Sequence, residues 1–220
     1  MEKKTVLLLG ATGLVGGHIL KGLLEHPYCG RVVTLTRSAI TDAKAFSKLD
    51  TRIIDFERPD DWRDQVVADQ TICALGTTIR KAGSREAFRR VDFEYPLMVA
   101  RAVLNGGCRH FLLVSAMGAD PNSRVFYNRV KGELEAAILT LGFTSVSIFR
   151  PSLLLGDRRE FRLGEAVGQV LSGWLAFAVP KRYRPIHART VAAAMVRVAA
   201  LDTSGTRVLA SNAIAEWGAD

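Results

Sequence analysis

The stretch Gly10-Ala11-Thr12-Gly13-Leu14-Val15-Gly16 decides the fold because of what precedes and follows it. The apolar run Thr5–Leu9 predicts a short buried strand before it, and the amphipathic segment Leu14–Glu25 predicts a helix after it. Glycines at such a junction permit a tight turn, close approach of the backbone to a pyrophosphate and packing of the helix on the strand. The amino end of the helix then offers N–H groups and partial positive charge to phosphate oxygens. The pattern predicts a dinucleotide-binding βαβ unit; the alternative is a glycine turn that binds nothing.

Short apolar runs alternate with longer helical patterns along the rest of the chain. This alternation predicts an α/β fold, a doubly wound parallel β-sheet of Rossmann type with helices on both faces. No repeat or linker interrupts the pattern, so we expect one domain over residues 1–220, in which residues 151–205 form a small substrate-side extension. Further strands are predicted at Arg31–Thr36, Thr51–Ile54, Gln70–Ala74, His110–Val114, Thr144–Phe149 and Thr206–Ala210. Further helices are predicted at Asp42–Lys48, Asp61–Val67, Arg85–Leu104, Ser123–Leu141, Gly164–Leu175 and Arg189–Leu201, and Pro96 is expected to bend or divide the third of these.

The composition is that of a globular protein and excludes several classes. The chain has 220 residues, of which 48% are apolar and 24% charged. Three cysteines are too few for a disulfide framework, and four histidines without ligand spacing predict no metal site. The amino terminus lacks the features of a signal peptide, and the apolar segment Val167–Val179 is too short and too interrupted for a membrane span. We therefore expect a cytoplasmic protein without a membrane span.

The charge balance bears on possible partners. Thirty Lys and Arg residues against 22 Asp and Glu give a net charge of +8, which favours anionic partners such as phosphates. The basic residues are dispersed and are not interleaved with aromatic residues as on base-stacking surfaces. No nucleic-acid partner is expected.

The end of the second predicted strand bears on the choice of nicotinamide cofactor. An NAD site usually places an acidic residue there to bind the ribose 2′-hydroxyl. This chain has Arg37 instead, and a guanidinium can pair with a 2′-phosphate, so NADP(H) is favoured over NAD. Arg37 as a solvated strand-end residue is the alternative. Asp55, just after the third strand, either lies near the adenine or caps the turn before Pro59.

Three residues form a candidate catalytic set. Ser115 closes the fifth predicted strand, and the carboxyl ends of parallel strands are where ligands bind in such sheets. Tyr127 and Lys131 follow at a spacing of four residues, so they share one face of a helix. A nearby ammonium favours the phenolate form, which lets a tyrosine exchange a proton with a carbonyl or alcohol oxygen. The Ser115 hydroxyl would orient the substrate oxygen, and Lys131 would also bind the nicotinamide ribose.

Several segments together resemble a known family. The spacing of the glycine loop resembles that of the extended and atypical short-chain dehydrogenase/reductases. The wider match is to the small atypical members related to the Tat-interacting protein, and it covers the chain from Thr5 to about Leu201. The segments that carry it are Leu75-Gly76-Thr77-Thr78, Ser115-Ala116-Met117-Gly118-Ala119-Asp120, Tyr127 to Glu133, Arg150-Pro151-Ser152 and Leu155 to Glu160.

The resemblance implies a cofactor and a set of residues that contact it. The family binds NADPH, which agrees with Arg37. Besides the glycine loop, Tyr127 and Lys131, the implied contacts are Leu75, Gly76, Thr77, Arg150, Pro151, Ser152 and Leu153. The chain departs from the pattern of the wider superfamily at one position. Extended relatives often carry an asparagine that completes a proton relay, and this chain has Asp92 there.

Taken together, the sequence predicts an NADPH-dependent oxidoreductase that reduces a small-molecule carbonyl substrate, an aldehyde, a ketone or a quinone. Two alternatives remain open: a nucleotide-sugar epimerase or dehydratase, and a redox-sensing protein that binds NADPH with little turnover. A homodimer is possible. The charged segment Asp157–Arg162 either recognises substrate or is a solvated loop, and Val167–Val179 either packs in the core or forms an interface or lid.

Overall fold

The computed structural model describes residues 3–40, 45–156 and 180–219. The segments Asp157–Arg162 and Val167–Val179 and the predicted helix Gly164–Leu175 lie outside the described residues. Residues 42–44 of the predicted helix Asp42–Lys48 also lie outside them, and its described residues 45–48 form no α-helix. The strands are β1 (Lys4–Leu9), β2 (Cys29–Thr36), β3 (Leu49–Ile53), β4 (Gln70–Cys73), β5 (His110–Val114), β6 (Ser145–Arg150), β7 (Leu154–Leu155), β8 (Ile186–His187) and β9 (Gly205–Ala210). The helices are α1 (Leu14–Glu25), α2 (Ile79–Ala82), α3 (Arg85–Arg89), α4 (Tyr95–Asn105), α5 (Phe126–Leu139), α6 (Ala188–Leu201) and α7 (Ser211–Trp217).

A seven-stranded parallel sheet forms the centre of the molecule. Its strand order is β3-β2-β1-β4-β5-β6-β9, and β7 and β8 pair separately as a short parallel ribbon. The order reverses between β1 and β4, and the carboxyl ends of strands on either side of such a reversal open a crevice. The doubly wound Rossmann-type fold predicted from the sequence is confirmed.

Successive residues of β1 are buried on opposite faces of this sheet. Val6 and Leu8 pack with α1 and α6, whereas Leu7 and Leu9 pack with α4 and α5. A strand covered on both faces must be apolar at every position, and this explains the continuous apolar run. The sheet is therefore enclosed by two helical layers.

One predicted helix is replaced by shorter turns in the structure. Asp61–Val67 was expected to be one helix, and this prediction is wrong, because single 3₁₀ turns form at Pro59–Asp61 and Arg63–Gln65. Between them the backbone of Trp62, at φ −139°, leaves the helical region, while its buried indole N–H donates to the carbonyl of Asp55 at 2.9 Å. Tertiary burial of the indole thus overrides a short helical pattern.

The predicted helix Arg85–Leu104 is divided near Pro96, as the sequence predicted, by a π-helical turn at Arg90–Glu94 between α3 and α4. Proline has no N–H to donate to the carbonyl four residues earlier, so a regular α-helix cannot continue through this position. The wider turn places the side chain of Asp92 inward, where it is fully buried.

Candidate active site

The glycine loop brings three backbone segments together at the crevice. Gly10 has a φ of +79°, and a Cβ there would lie 2.5 Å from the carbonyl oxygen of Ala74 at the end of β4. A Cβ at Gly16 would lie 2.0 Å from the carbonyl oxygen of Gly10. The Gly13 N–H closes the turn by donating to the same oxygen at 2.8 Å. Glycine is required at positions 10 and 16 because β1, β4 and α1 approach one another too closely for a side chain.

A cleft of about 120 Å³ opens where α1 begins, beside the carboxyl ends of β4, β5 and β6. Most of the predicted site residues line this cleft. Its lining includes Leu14, Val15, Leu75, Gly76, Thr77, Ser115, Tyr127, Lys131, Pro151, Ser152 and Leu153. The amino end of α1 carries no acidic residue in its first turn, so its partial positive charge is not offset by a carboxylate there.

The three candidate catalytic residues meet in this cleft. Ser115 follows β5, and its buried hydroxyl has no hydrogen-bond partner among the described residues. Tyr127 and Lys131 lie one turn apart on α5 and both line the same cleft. The Tyr127 ring packs 5.6 Å from that of Phe88 on α3. A buried hydroxyl without a protein partner beside a tyrosine and a lysine is an arrangement that can bind an oxygen atom of a ligand.

Asp92 joins this group through an ion pair. Its carboxylate lies 2.7 Å from the Lys131 ammonium, and both side chains are almost inaccessible to solvent. Burial alone would lower the pKa of Lys131, but the charge of Asp92, with a contribution from Tyr127, raises it above its ordinary value. The sequence indicated only that Asp92 replaces an asparagine. The π-helical turn that carries it inward was not predictable from the residue itself.

A second carboxylate, that of Glu135, links α5 to the end of β6. Glu135 lies one turn beyond Lys131, and Arg150 at the end of β6 forms a bidentate salt bridge with it, at 3.0 and 3.1 Å from the guanidinium Nε. The pKa of Arg150 is raised, first by this hydrogen bonding to Glu135. Arg150 is not among the residues that line the cleft. The Arg150 guanidinium thus links α5 to the sheet, whereas Pro151, Ser152 and Leu153 border the cleft.

The residues after β2 and β3 lie at the carboxyl edge of the sheet, on the other side of β1 from β4 and β5. Arg37 is exposed. The Asp55 side chain accepts the backbone N–H of Glu57 at 2.9 Å, which is the turn-capping role that the sequence left open. The Tyr95 hydroxyl donates a hydrogen bond to the Glu57 carboxylate. Burial and that carboxylate raise the pKa of Tyr95 to about 12, against the opposing charges of Arg90 and Arg37.

Comparison with curated proteins places the chain in a family. It is 37% identical over 223 residues to the protein HTATIP2 of Rattus norvegicus, and the alignment covers 100% of this chain and 91% of that protein. The chain belongs to the HTATIP2/FMP52 family. It is also 38% identical over 176 residues to the mitochondrial protein FMP52 of Candida albicans, covering 77% of this chain and 76% of that protein. No family model matches.

Solved structures show which fold this member of the HTATIP2/FMP52 family shares. MoeE5 in complex with UDP-glucose and NAD matches with a TM-score of 0.68 at 14% identity, covering 93% of this chain and 75% of that one. ADP-L-glycero-D-manno-heptose-6-epimerase of Helicobacter pylori matches with a TM-score of 0.67 at 17% identity, covering 95% and 77%. At this identity the likeness establishes the NAD(P)-binding Rossmann fold and nothing finer. Within the residues that the structure describes, no helix is long and apolar enough to cross a membrane.

Proposed function

We propose that the protein is an NADP(H)-dependent oxidoreductase of the short-chain dehydrogenase/reductase type that reduces a small carbonyl compound, an aldehyde, a ketone or a quinone. One observation carries the proposal: Ser115, Tyr127 and Lys131 line the same cleft as the amino end of α1. A nucleotide cofactor and a reacting oxygen would therefore share one site.

The residues of the cleft fit a dinucleotide. The glycine loop has no room for side chains at Gly10 and Gly16 and little at Gly13, and it leaves backbone N–H groups at the start of a helix for phosphate oxygens. Thr12, Leu14 and Val15 would complete the phosphate loop. Leu75, Gly76 and Thr77, with Pro151, Ser152 and Leu153, would border the nicotinamide half.

The protein's own groups would supply orientation and a proton. When bound, NADPH supplies a hydride to the carbonyl carbon. The Ser115 hydroxyl would donate a hydrogen bond to the carbonyl oxygen, and Tyr127 would transfer its phenolic proton to that oxygen as the C–H bond forms. The Lys131 ammonium would favour the resulting phenolate and bind the ribose.

A titration tests the cofactor assignment. Arg37 favours NADPH because its exposed guanidinium can pair with the 2′-phosphate, although solved structures with this fold are described with NAD. In calorimetry with cofactor-stripped protein, we expect NADPH to bind at least tenfold more tightly than NADH, a difference of about 1.4 kcal/mol. The Arg37→Ala variant should lose this preference. Equal affinities in the wild type would contradict the Arg37 assignment, and binding of neither would contradict the proposed function.

The proton-transfer role is tested by Tyr127→Phe. Once a screen of aldehydes, ketones and quinones identifies a substrate, we expect kcat to fall by about 10² to 10⁴-fold, with NADPH binding retained. Tyr28→Phe is the matched control, because this buried tyrosine lies near the amino end of the sheet and its hydroxyl has no partner among the described residues. Unchanged turnover in Tyr127→Phe would show that the proposed mechanism is wrong.

A nucleotide-sugar epimerase or dehydratase is the second candidate, because MoeE5 shares the fold and is described with UDP-glucose and NAD. Such an enzyme regenerates its cofactor within each cycle, so cofactor that remains bound through purification would favour it. Exchangeable NADPH favours the reductase. A redox-sensing role without turnover would be favoured by tight NADPH binding and an unproductive substrate screen.

Two wider properties remain part of the proposal. We propose a cytoplasmic location, which cell fractionation would test against the mitochondrial location in the names of fungal relatives such as the Candida albicans protein. We also propose a homodimer, and sedimentation would distinguish it from a monomer of 24.1 kDa.

A further inference from the structure

The buried carboxylate of Asp92 contacts two parts of the cleft at once. One of its oxygens lies 2.7 Å from Lys131 Nζ, and the other accepts the backbone N–H of Thr77 at 2.8 Å. Thr77 belongs to the segment that follows β4 and lines the cleft, whereas Lys131 lies on α5. One carboxylate therefore links the candidate catalytic helix to the segment that would border the cofactor.

The groups around Lys131 leave Asp92 as its counter-charge. The titratable groups that act on the ammonium are Asp92 from the π-helical turn, Tyr127 from α5 itself and Cys73 from β4. Burial raises the pKa of the Cys73 thiol to about 11, so that thiol is neutral at physiological pH. Among these three groups, Asp92 alone supplies a full negative charge at hydrogen-bond distance.

Gly76 gives this pair its space. A Cβ at Gly76 would lie 3.2 Å from Asp92 Oδ1 and 3.5 Å from Lys131 Nζ, closer to the carboxylate than most side-chain contacts allow. The motif Leu75-Gly76-Thr77 thus packs directly over the ion pair and donates one N–H to it.

We propose that Asp92 is a positioning residue that keeps Lys131 a charged, fixed ammonium and ties it to the Thr77 segment. An ammonium that is buried without a counter-charge loses its proton readily, because a low-dielectric surrounding favours the neutral amine. The Asp92 carboxylate, at the position where extended relatives often carry an asparagine, supplies the counter-charge that keeps Lys131 protonated. This inference rests on the proposed function only for the catalytic role of Lys131, which is to favour the Tyr127 phenolate and bind the ribose.

The experiment follows the ionisation of Lys131 directly. Protein carrying ¹³C-labelled lysine side chains is titrated by NMR without cofactor, upward from pH 7 until the protein unfolds, and the Lys131 resonance is assigned by its absence in Lys131→Met. A Lys131 resonance that does not change over this range sets a lower limit to its midpoint. In Asp92→Asn, which preserves the shape and one acceptor, we expect the midpoint of Lys131 to lie about one pH unit or more below that of the wild type. Equal midpoints in the two proteins would overturn the proposal.

Glu94→Gln is the matched control. Glu94 lies in the same π-helical turn, but its side chain is exposed and does not line the cleft, so its loss should leave the Lys131 midpoint unchanged. A shift in this variant equal to that in Asp92→Asn would also overturn the proposal, because the effect would then belong to the charge of the turn in general.

A second variant covers the case in which Asp92→Asn does not fold. The double variant Asp92→Asn with Lys131→Met removes both charges. If it folds where the single variant fails, the carboxylate is needed to compensate the ammonium, as proposed. If both fail alike, Asp92 serves only the local backbone and the proposal is wrong.

The outcome is separable from that of the proposed function. Failure to bind NADPH would contradict the oxidoreductase assignment, yet the lysine titration needs no cofactor and still decides the role of Asp92. Conversely, a Lys131 midpoint that is independent of Asp92 would leave the cofactor and substrate assignments intact.

Discussion

Gly16 and Gly17 are adjacent in α1, yet their surroundings differ sharply. A Cβ at Gly16 would collide with the Gly10 carbonyl oxygen, 2.0 Å away, whereas one at Gly17 would meet the Ala11 oxygen at an ordinary 3.7 Å. The sequence pattern assigned a role to Gly16 through its spacing from Gly10 and Gly13. It made no distinction on steric grounds, because the approach of β1 to α1 is a property of the folded chain.

This difference predicts opposite effects of alanine. Gly16→Ala should destabilise the protein by about 2 kcal/mol or more, because backbone must move to admit the methyl group, and it should abolish NADPH binding. Gly17→Ala is the control and should stabilise the protein by about 0.5–1 kcal/mol, since alanine restricts the unfolded chain and favours helix. Urea denaturation measures both effects. A Gly16→Ala protein as stable as the wild type would contradict the packing described here.

At the scale of the element, α5 is held by two ion pairs on one face. Tyr127, Lys131 and Glu135 recur every four residues, so the residue that enters the cleft and the residue that anchors the helix lie on the same stripe. Lys131 pairs with Asp92 on one neighbour and Glu135 pairs with Arg150 on another. The sequence predicted this helix and its Tyr–Lys pair. Neither ion-pair partner was predicted, because both come from elements distant in the chain.

The anchor is tested by Arg150→Met. This change leaves Glu135 buried without a counter-charge, so we expect a loss of about 2–3 kcal/mol of unfolding free energy, below the range for a fully buried pair because Arg150 is partly exposed. Arg58→Met removes a solvent-exposed pair with Asp61 and should cost less than about 1 kcal/mol. Double substitution with Glu135→Gln should recover part of the loss. Equal effects of the two arginine variants in urea denaturation would refute the anchoring role.

Across the whole molecule, the two ends of the sheet carry different polar groups. The carboxyl ends of the strands open onto the cleft, whereas the amino ends bury a polar set in which Gln70 donates to Asp202 at 2.8 Å and His110 pairs with Ser147 at 3.0 Å. Burial, with a smaller contribution from Arg207 and against the charge of Asp202, lowers the pKa of His110 to about 4. The proposed ligand site and the buried histidine thus lie at opposite ends of one sheet.

The lowered pKa of His110 predicts a loss of stability at acid pH. Because its pKa is about 4 in the folded state and 6.5 otherwise, the unfolded chain takes up a proton first as pH falls. The stabilisation is complete above pH 6.5 and is lost as pH falls toward 4, which amounts to about 2 kcal/mol between pH 7 and 5. His110→Gln should remove this part of the pH dependence of the unfolding free energy. The exposed His18→Gln should retain it, and an unchanged slope in His110→Gln would show that other groups govern acid unfolding.

The sequence by itself determined the strand–helix alternation, the glycine loop and the chemical identity of the catalytic candidates. These are local properties: hydrophobic period, turn chemistry and residue spacing are all present within about 20 residues. The doubly wound order followed because parallel strands with helical connections allow few arrangements.

Only the tertiary structure decided which charges meet. It paired Asp92 with Lys131 through a π-helical turn that precedes Pro96, and it paired Arg150 with Glu135. It also divided a predicted helix at Trp62, because burial of the indole outweighs the helical preference of a few residues. The free energy of burying a charge or a ring depends on groups that are distant in the chain. The sequence therefore specifies such contacts, but no local pattern within it predicts them.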